Sequence, residues 1–540
     1  MKAAFVFRKF LLASSLLAAA SSAHGQSTWN PTGGGTWNNA ANWTGGIPDS
    51  STASATFSKN FTASPIVTLD NAAGFTINQI TYDDTGASGD STLAINAGTG
   101  GKFILAGTTP TITTSSPLSI SVALEGATTL RKAGSGTLSL SGTNTYTGVT
   151  TIALGTVNVS GDHSAADGGW SFQDTGGTVN FQSGSTIAVR TGANITMLNG
   201  GSAKTLNVAG TVTTASNSQL NVRGASTLTL NSGASWTQNG PMTMQSQAST
   251  TSATMSVNTG ASFTYTNTAN IVLARATGSG NGSATLNLSG GTFTTTRGIS
   301  NTAAGTGTGS TNLNFSNGGT LKISNNITSL IIQGSTAFNV TTTNAAGGII
   351  DTNSFNTAIG VDISGAGGMT KAGAGTLTLS GSNTYTGATL ISGGSLLVNG
   401  SLGNTAVTVD PLASIGGTGA LGGNLSLAGN SLFQVVDIND PLAVGGTINF
   451  GSGFGIANLL GIDWDTLDLN TPYTLISTTQ TFGTGDIANF GLANAVNVGS
   501  SGRQAYFVNG SLNVFVIPEP RAALLGGLGL LALMRRRRVA

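Results

Sequence analysis

The chain is 540 residues long, 39% hydrophobic and only 7% charged, with 80 glycines and no cysteine. The missing cysteines exclude disulfides and thiolate zinc sites, and disorder, which pairs low hydrophobicity with high net charge, does not fit this composition. The formal charge of +1 is carried by the two ends: removing eight basic residues and one acidic residue there leaves 12 basic against 18 acidic residues, about −6, without the clustered Lys and Arg that nucleic-acid binding requires.

Residues 1–25 read as a secretory signal peptide. Lys2, Arg8 and Lys9 supply the positive start, Phe10 to Ala20 the apolar run, and Ala23-His24-Gly25 the small residues before cleavage between Gly25 and Gln26. That order of charge, apolar run and small residues is what the secretory machinery selects, so the Sec translocon is an expected partner. Residues 26–125 form a Trp/Gly/Asn-rich β region beginning Thr28-Trp29-Asn30.

The next region, 126–430, is repetitive. Residues 132–161 (KAGSGTLSLSGTNTYTGVTTIALGTVNVSG) and 371–400 (KAGAGTLTLSGSNTYTGATLISGGSLLVNG) are identical at 19 of 30 positions. Leu138 and Leu140 alternate with Ser139 and Ser141, giving a strand with one apolar face. Asn144 to Gly148 is expected to turn, with Tyr146 covering the end of a rung. Between the copies runs a weaker pattern of apolar–polar–apolar followed by Gly: Val179/Phe181 with Gly184, Leu206/Val208 with Gly210, Leu228/Leu230 with Gly233, Met255/Val257 with Gly260, Leu286/Leu288 with Gly290 and Leu313/Phe315 with Gly318. Trp236, Phe263, Phe293 and Leu321 follow their glycines by three residues. Such a period suits one coil of a stack, because a single coil cannot bury its apolar face but stacked coils can. The predicted fold is all-β: a right-handed parallel β-helix of coils of about 23–30 residues, with Asn and Thr ladders along the stack. The competing arrangement is an antiparallel sandwich with hairpins at Asn199-Gly200 and Asn317-Gly318.

The two long copies resemble the autotransporter-associated β-strand repeat of passenger domains in large bacterial surface proteins. The residues that carry the resemblance are Lys132, Gly134, Gly136, Thr137, Leu138, Leu140, Gly142, Asn144, Tyr146, Gly148 and Gly155, and their counterparts from Lys371 to Gly394. The resemblance implies an exported cell-surface protein, and it is to the passenger part alone, since no aromatic-ended barrel strand closes the chain.

Residues 431–516 are richer in Asp, Phe and Leu, and predict a terminal β cap that protects the open end of the stack. Asp463-Trp464-Asp465-Thr466-Leu467-Asp468 lacks the Gly and terminal Glu of a calcium loop and reads as solvated turn carboxylates. The tail, 517–540, holds Pro518-Glu519-Pro520, the apolar run Ala522 to Met534, and Arg535, Arg536, Arg537 and Arg538. It resembles the PEP-CTERM sorting signal of exopolysaccharide-producing Gram-negative bacteria. The resemblance implies recognition by an exosortase, a transient inner-membrane contact through 522–534 with the arginines held on the cytoplasmic side, and delivery to the surface or the exopolysaccharide matrix.

Chemistry is sparse, and neither catalysis nor a cofactor is expected. His163 lies in a small polar segment, Gly161 to Asp167, expected to be a loop; Ser, His and Asp this close in sequence do not reach triad geometry. Glycoside hydrolysis needs two carboxylates across a cleft, yet no acidic residue lies between Asp174 and Asp351. Arg190, Lys204, Arg223, Arg275, Arg297 and Lys322 recur at about one per coil, and read either as solvated charge or as a stripe for an acidic glycan. The function this supports is structural or adhesive, with a polysaccharide lyase or a carbohydrate-binding module on the same scaffold as the alternative.

Overall fold

The computed structural model describes residues 25–518, apart from 87–90, 174, 199–200, 246–250, 274–281, 303–309, 335–336, 483–485 and 509–511. Strand follows strand along this length, and the described helical residues form three single-turn segments, Ala40–Asn42, Ile456–Asn458 and Leu492–Asn494. Apart from Trp43–Thr44 and the strands at the C-terminal end, the strands pair in parallel with those of neighbouring coils, so the fold is a parallel β-helix with three faces.

The first face is a 14-stranded sheet ending at Ile363–Gly365. It carries the tripeptide pattern in register: Val179 lies on Leu206, Leu206 on Leu228, Leu228 on Met255, Met255 on Leu286 and Leu286 on Leu313. All six are fully buried. The second face holds the residues three past each glycine, where Trp236, Phe263, Phe293 and Leu321 form one inward column. The rings of Phe263 and Phe293 stack at 4.9 Å and 15°. The third face runs from Leu130–Ala133 through Thr150–Ile152, 170–172, 195–197 and Leu220–Arg223 on to Thr376–Leu379.

Between the first and second faces the chain must bend sharply. Gly233, Gly260, Gly290 and Gly318 do so at φ between +73° and +84°, a region that an L side chain disfavours. Asn317-Gly318 makes such a bend, yet it closes no hairpin: Thr311–Ser316 pairs along the first face and Gly319–Ile323 along the second. Asn199-Gly200 lies outside the described residues. The outward polar positions of the first face form the expected ladders. Asn180 Nδ2 donates to Asn158 Oδ1 at 2.7 Å, Asn207 Nδ2 to Asn180 Oδ1 at 2.8 Å, and Asn314 Nδ2 to Asn287 Oδ1 at 2.9 Å. Asn180 thus gives a proton to the coil below and accepts one from the coil above, a pairing that a parallel, in-register stack allows.

Parallel pairing also takes in the flanking regions. Ser27 and Thr28 lie on Ala55 and Thr56 at one end, and Leu442–Val444 lies on 476–478 at the other. The N-terminal end is filled by aromatics: Trp43 packs edge-on against Trp29 at 4.9 Å and Trp37 at 4.8 Å, and its Nε1 donates to Trp37 O. At the C-terminal end the pairing direction changes. Pro472–Thr478, Leu512–Ile517, Arg503–Val508 and Val496–Val498 pair antiparallel, burying Phe507, Leu512, Val514 and Val516. This is the β cap, and reversing the strand direction stops the stack from offering one more parallel edge. Among the described residues no helix is long and apolar enough to cross a membrane.

Candidate functional site

The residues singled out at the ends lie at or beyond the margin of the described chain. Gly25 and Gln26 are exposed and immediately precede the first strand, Ser27–Trp29. Pro518 is half-buried and follows the last strand, Leu512–Ile517. Glu519, Pro520, Arg535, Arg536, Arg537, Arg538 and the apolar run 522–534 lie outside the described residues, as does the signal peptide before Gly25.

In the repeats the most distinctive polar residues point inward. Lys132 and Lys371 are fully buried. Lys132 Nζ donates to Ala133 O, Gly134 O and Leu154 O at 2.8, 2.7 and 3.1 Å. Lys371 Nζ donates to Ala372 O, Gly373 O and Gly393 O at 3.0, 2.8 and 2.8 Å. Each ammonium therefore satisfies all three of its protons on a turn of its own coil and a turn of the next. Burial lowers both lysines to about 8, and the Asp351 carboxylate opposes that shift at Lys371.

Asn144 and Asn383 clamp three successive coils. Asn144 Oδ1 accepts from Leu124 N at 3.0 Å in the coil before, and Nδ2 donates to Gly142 O at 2.9 Å in its own coil. Asn383 repeats this with Ile363 N and Gly381 O, both at 3.0 Å. Toward the following coil the copies diverge: Asn144 Nδ2 meets His163 Nε2 at 2.8 Å, whereas Asn383 Nδ2 meets Ser401 O at 3.0 Å. Tyr146 does not lie over the end of a rung. Both Tyr146 and Tyr385 are buried, with their hydroxyls on Thr150 and Thr389 Oγ1 at 2.6 and 2.7 Å. The apolar ring has more to gain inside the stack than at its rim, and a threonine at i+4 satisfies its hydroxyl.

His163 is not in a loop. It lies in the strand Asp162–Phe172 and is 2% exposed, between the rings of Tyr146 and Trp170. Desolvation lowers it to about 4, with Asp162 opposing. Since the Asn144 amide nitrogen also serves Gly142 O, His163 Nε2 is the acceptor and the ring is neutral. The polar sequence around His163 disguised a strand because its bonding partner, Asn144, lies a whole coil away. Asp465 is half-buried, and its carboxylate accepts from Ser500 Oγ and Ser501 Oγ, both at 2.6 Å, and from both backbone amides. Those bonds, led by Ser500, hold its pKa well below the usual carboxylate range. The carboxylate thus tethers two segments of the cap.

The basic residues between the copies have separate fates. Lys204 is buried with Nζ on Ser202 O at 3.0 Å, Arg223 is half-buried beside Asn221, and Lys322 pairs with Asp351 at 3.0 Å. Arg275 lies outside the described residues. Arg190 and Arg297 line separate surface concavities, of about 420 Å³ with Ser171, Asn194 and Thr196, and of about 270 Å³ with Asn270, Asn326 and Thr328. A third, of about 320 Å³, continues the second through Asn326, Ile327 and Thr328 to Asn356, Thr357 and Thr378. None of the three is lined by Asp, Glu or His. Composition gave no sign of these concavities, because they arise from irregular corners rather than from the repeat.

Two segments, residues 130–159 and 369–398, match the family Passenger-associated-transport-repeat, and these are the coils that the buried Lys, Asn and Tyr hold together. No curated protein and no solved structure matches the chain.

Proposed function

We propose that this chain is an exported structural and adhesive protein of the bacterial surface or its exopolysaccharide matrix, released from the inner membrane by an exosortase acting at Pro518-Glu519-Pro520. The observation that carries the reading is the use made of the passenger-type repeats. Their lysine, asparagine and tyrosine are engaged in binding coil to coil, which builds a stiff shaft. A shaft of this kind displays a long, repetitive Thr, Ser and Asn surface, and adhesion needs surface rather than a pocket. The sequence of the two ends supplies the route: a leader to start translocation, then a short apolar run followed by four arginines to stall it.

Fractionation of cells expressing the full chain tests this reading, with one antibody against the shaft and one against the tail. The shaft is expected at the surface or in the matrix without the tail, and Glu519→Ala is expected to leave an uncut form at the inner membrane. Surface material whose intact mass includes Arg535 to Ala540 would overturn the sorting step. Shaft confined to the cytosol would overturn the whole reading. The alternative, a polysaccharide-active enzyme, requires the purified chain to depolymerise a glycan; concavities without a carboxylate or a histidine argue against it.

A further inference from the structure

The net charge of about −6 on the body conceals two populations. Residues 175–350 hold six basic residues and no acidic one, a net +6, while the remainder of 26–517 carries −12. A segregation of this size sets up a positive potential over the central coils that attracts and orients anions. Most of that charge is already engaged. Lys204 is buried, Arg223 is half-buried, and Lys322 is paired. Arg190 and Arg297 are the two described cations of this stretch that face a concavity.

Both stand at the same corner of the coil, where the second face turns into the third. Arg190 follows the second-face residue Val189, and Arg297 lies two past Thr295, the second-face residue that precedes Thr296. The corner is continuous: Ala215 N bonds Val189 O, Thr266 N bonds Gln238 O, and Thr296 N bonds Tyr265 O. Four coil steps separate the two arginines along the third face, about 19 Å at the usual inter-strand spacing. Beyond Arg297 the corner opens further. The strand Ile327–Ile332 bulges, setting residues 328–330 against Ala358 alone, and bulges of this kind redirect side chains. Two polar atoms here are buried with no hydrogen-bond partner, Arg297 Nε and Thr357 Oγ1. An orphaned donor of that kind is costly unless something satisfies it.

We propose that this corner binds an anionic polysaccharide laid along the shaft, with Arg190 and Arg297 as charged contacts and the Asn and Thr side chains of the concavities as hydrogen-bond partners for sugar hydroxyls. The proposal rests on the surface reading above and names its ligand class. Duplex nucleic acid fits less well. It presents a charge every 1.7 Å or so and is held by many cations, whereas here two arginines stand about 19 Å apart. The aromatic lining the corner, Trp170, is fully buried and offers no stacking face.

The test is binding of the full-length protein to immobilised polygalacturonate, dextran sulfate, neutral dextran and duplex DNA at low salt. Binding to one or both anionic polysaccharides is expected, falling with added salt. Carboxylated against sulfated polymer then identifies which anion the corner prefers. R190Q/R297Q is expected to weaken that binding about tenfold or more. K322Q, whose cation already has Asp351, is expected to change it less than twofold. Arg190 is exposed on the strand Thr186–Met197, so R190Q alone serves as the second variant should the double variant fold poorly, with a several-fold loss expected. Equal binding to neutral dextran, tighter binding to DNA than to both polysaccharides, no binding to either polyanion, or unchanged binding by folded R190Q/R297Q would each overturn the proposal. Surface-located protein that binds no polyanion refutes this inference alone; cytosolic protein refutes the surface reading whatever it binds.

Discussion

The two long repeats share a sequence and a set of internal bonds, but they do not share a place on the shaft. In the first copy Leu130–Ala133 lies on the third face and Thr137–Leu140 on the first. In the second copy Met369–Ala372 lies on the second face and Thr376–Leu379 on the third. The motif has rotated by one face between its two appearances. Its bonds therefore do not depend on which side of the stack it occupies: the Lys, Asn and Tyr staples reach along the axis to neighbouring coils, and every face has such neighbours. A repeat of this kind specifies a local bend and a grip on the next coil, and the shaft between copies can carry any number of irregular coils.

The strongest way to break that equivalence is to remove the asparagine. Asn144→Ala removes the bonds to Leu124 N, Gly142 O and His163 Nε2, and Asn383→Ala those to Ile363 N, Gly381 O and Ser401 O; each change breaks a buried clamp across three coils and is expected to cost about 3–5 kcal/mol. Because coils couple mainly to their neighbours, the loss is expected to be local. Hydrogen exchange would accelerate within about a coil of the altered copy and stay at wild-type rates in the other. Uniform acceleration along the shaft would show that the copies are not independent clamps.

Acid separates the copies instead of treating them alike. His163 titrates near 4 in the fold and at about 6.5 when unfolded. Between those values the unfolded chain binds the extra proton, so stability falls as pH drops from about 6.5 to 4, by on the order of 3 kcal/mol. Protonation would also set an N–H against the Asn144 amide donor. The second copy has Ser401 O in that place and lacks the sensitivity. Exchange measured across this range is expected to loosen the first copy alone, and His163→Gln, which stays neutral and can still accept, is expected to abolish the effect.

The lysines are the next lever, at a smaller magnitude. Lys132→Met and Lys371→Met each remove three bonds to carbonyls but also remove a buried charge, so the net loss is expected to be about 1–3 kcal/mol. Both lysines lie near 8 in the fold against 10.5 unfolded. The unfolded chain therefore holds more protons between those values, and stability is expected to rise as pH climbs from about 8 to 10.5. Denaturant midpoints should show that rise in the wild type and lose it in the double Met variant.

The fold was legible because its signals are periodic. The alternation at Leu138 and Leu140 and the glycine-spaced tripeptides are one-dimensional records of a stack, and the structure places each in its expected ladder. The staples were not legible in the same way. A lysine in a glycine-rich turn reads as solvated, and nothing local to Lys132 reveals that Leu154 O, 22 residues on, completes its coordination. His163 failed for the same reason, its acceptor role being set by Asn144. The only usable hint was that Lys132 and Lys371 open both copies of a long repeat in a chain with 7% charged residues, where a recurring charge needs a reason. The corner at Arg190 and Arg297 lies outside the two long copies, and only the stacked coils bring its residues together.

The smallest expected effect concerns the tyrosines and sharpens the comparison most finely. Tyr146→Phe and Tyr385→Phe keep the buried ring and remove one hydroxyl, leaving Thr150 and Thr389 Oγ1 to find other partners. Each loss is expected to be about 1 kcal/mol. The rings differ in their company, however: Tyr146 packs edge-on to His163 at 6.0 Å, and the second copy has no such ring beside Tyr385 among the described residues. If the staple is set by the motif alone, the two substitutions should match within about 0.5 kcal/mol, because they lie far apart and should act independently. A clearly larger cost at Tyr146, erased in the His163→Gln background, would mean that the histidine coil has become part of the first copy's grip and that the repeat's energetics extend beyond its own thirty residues.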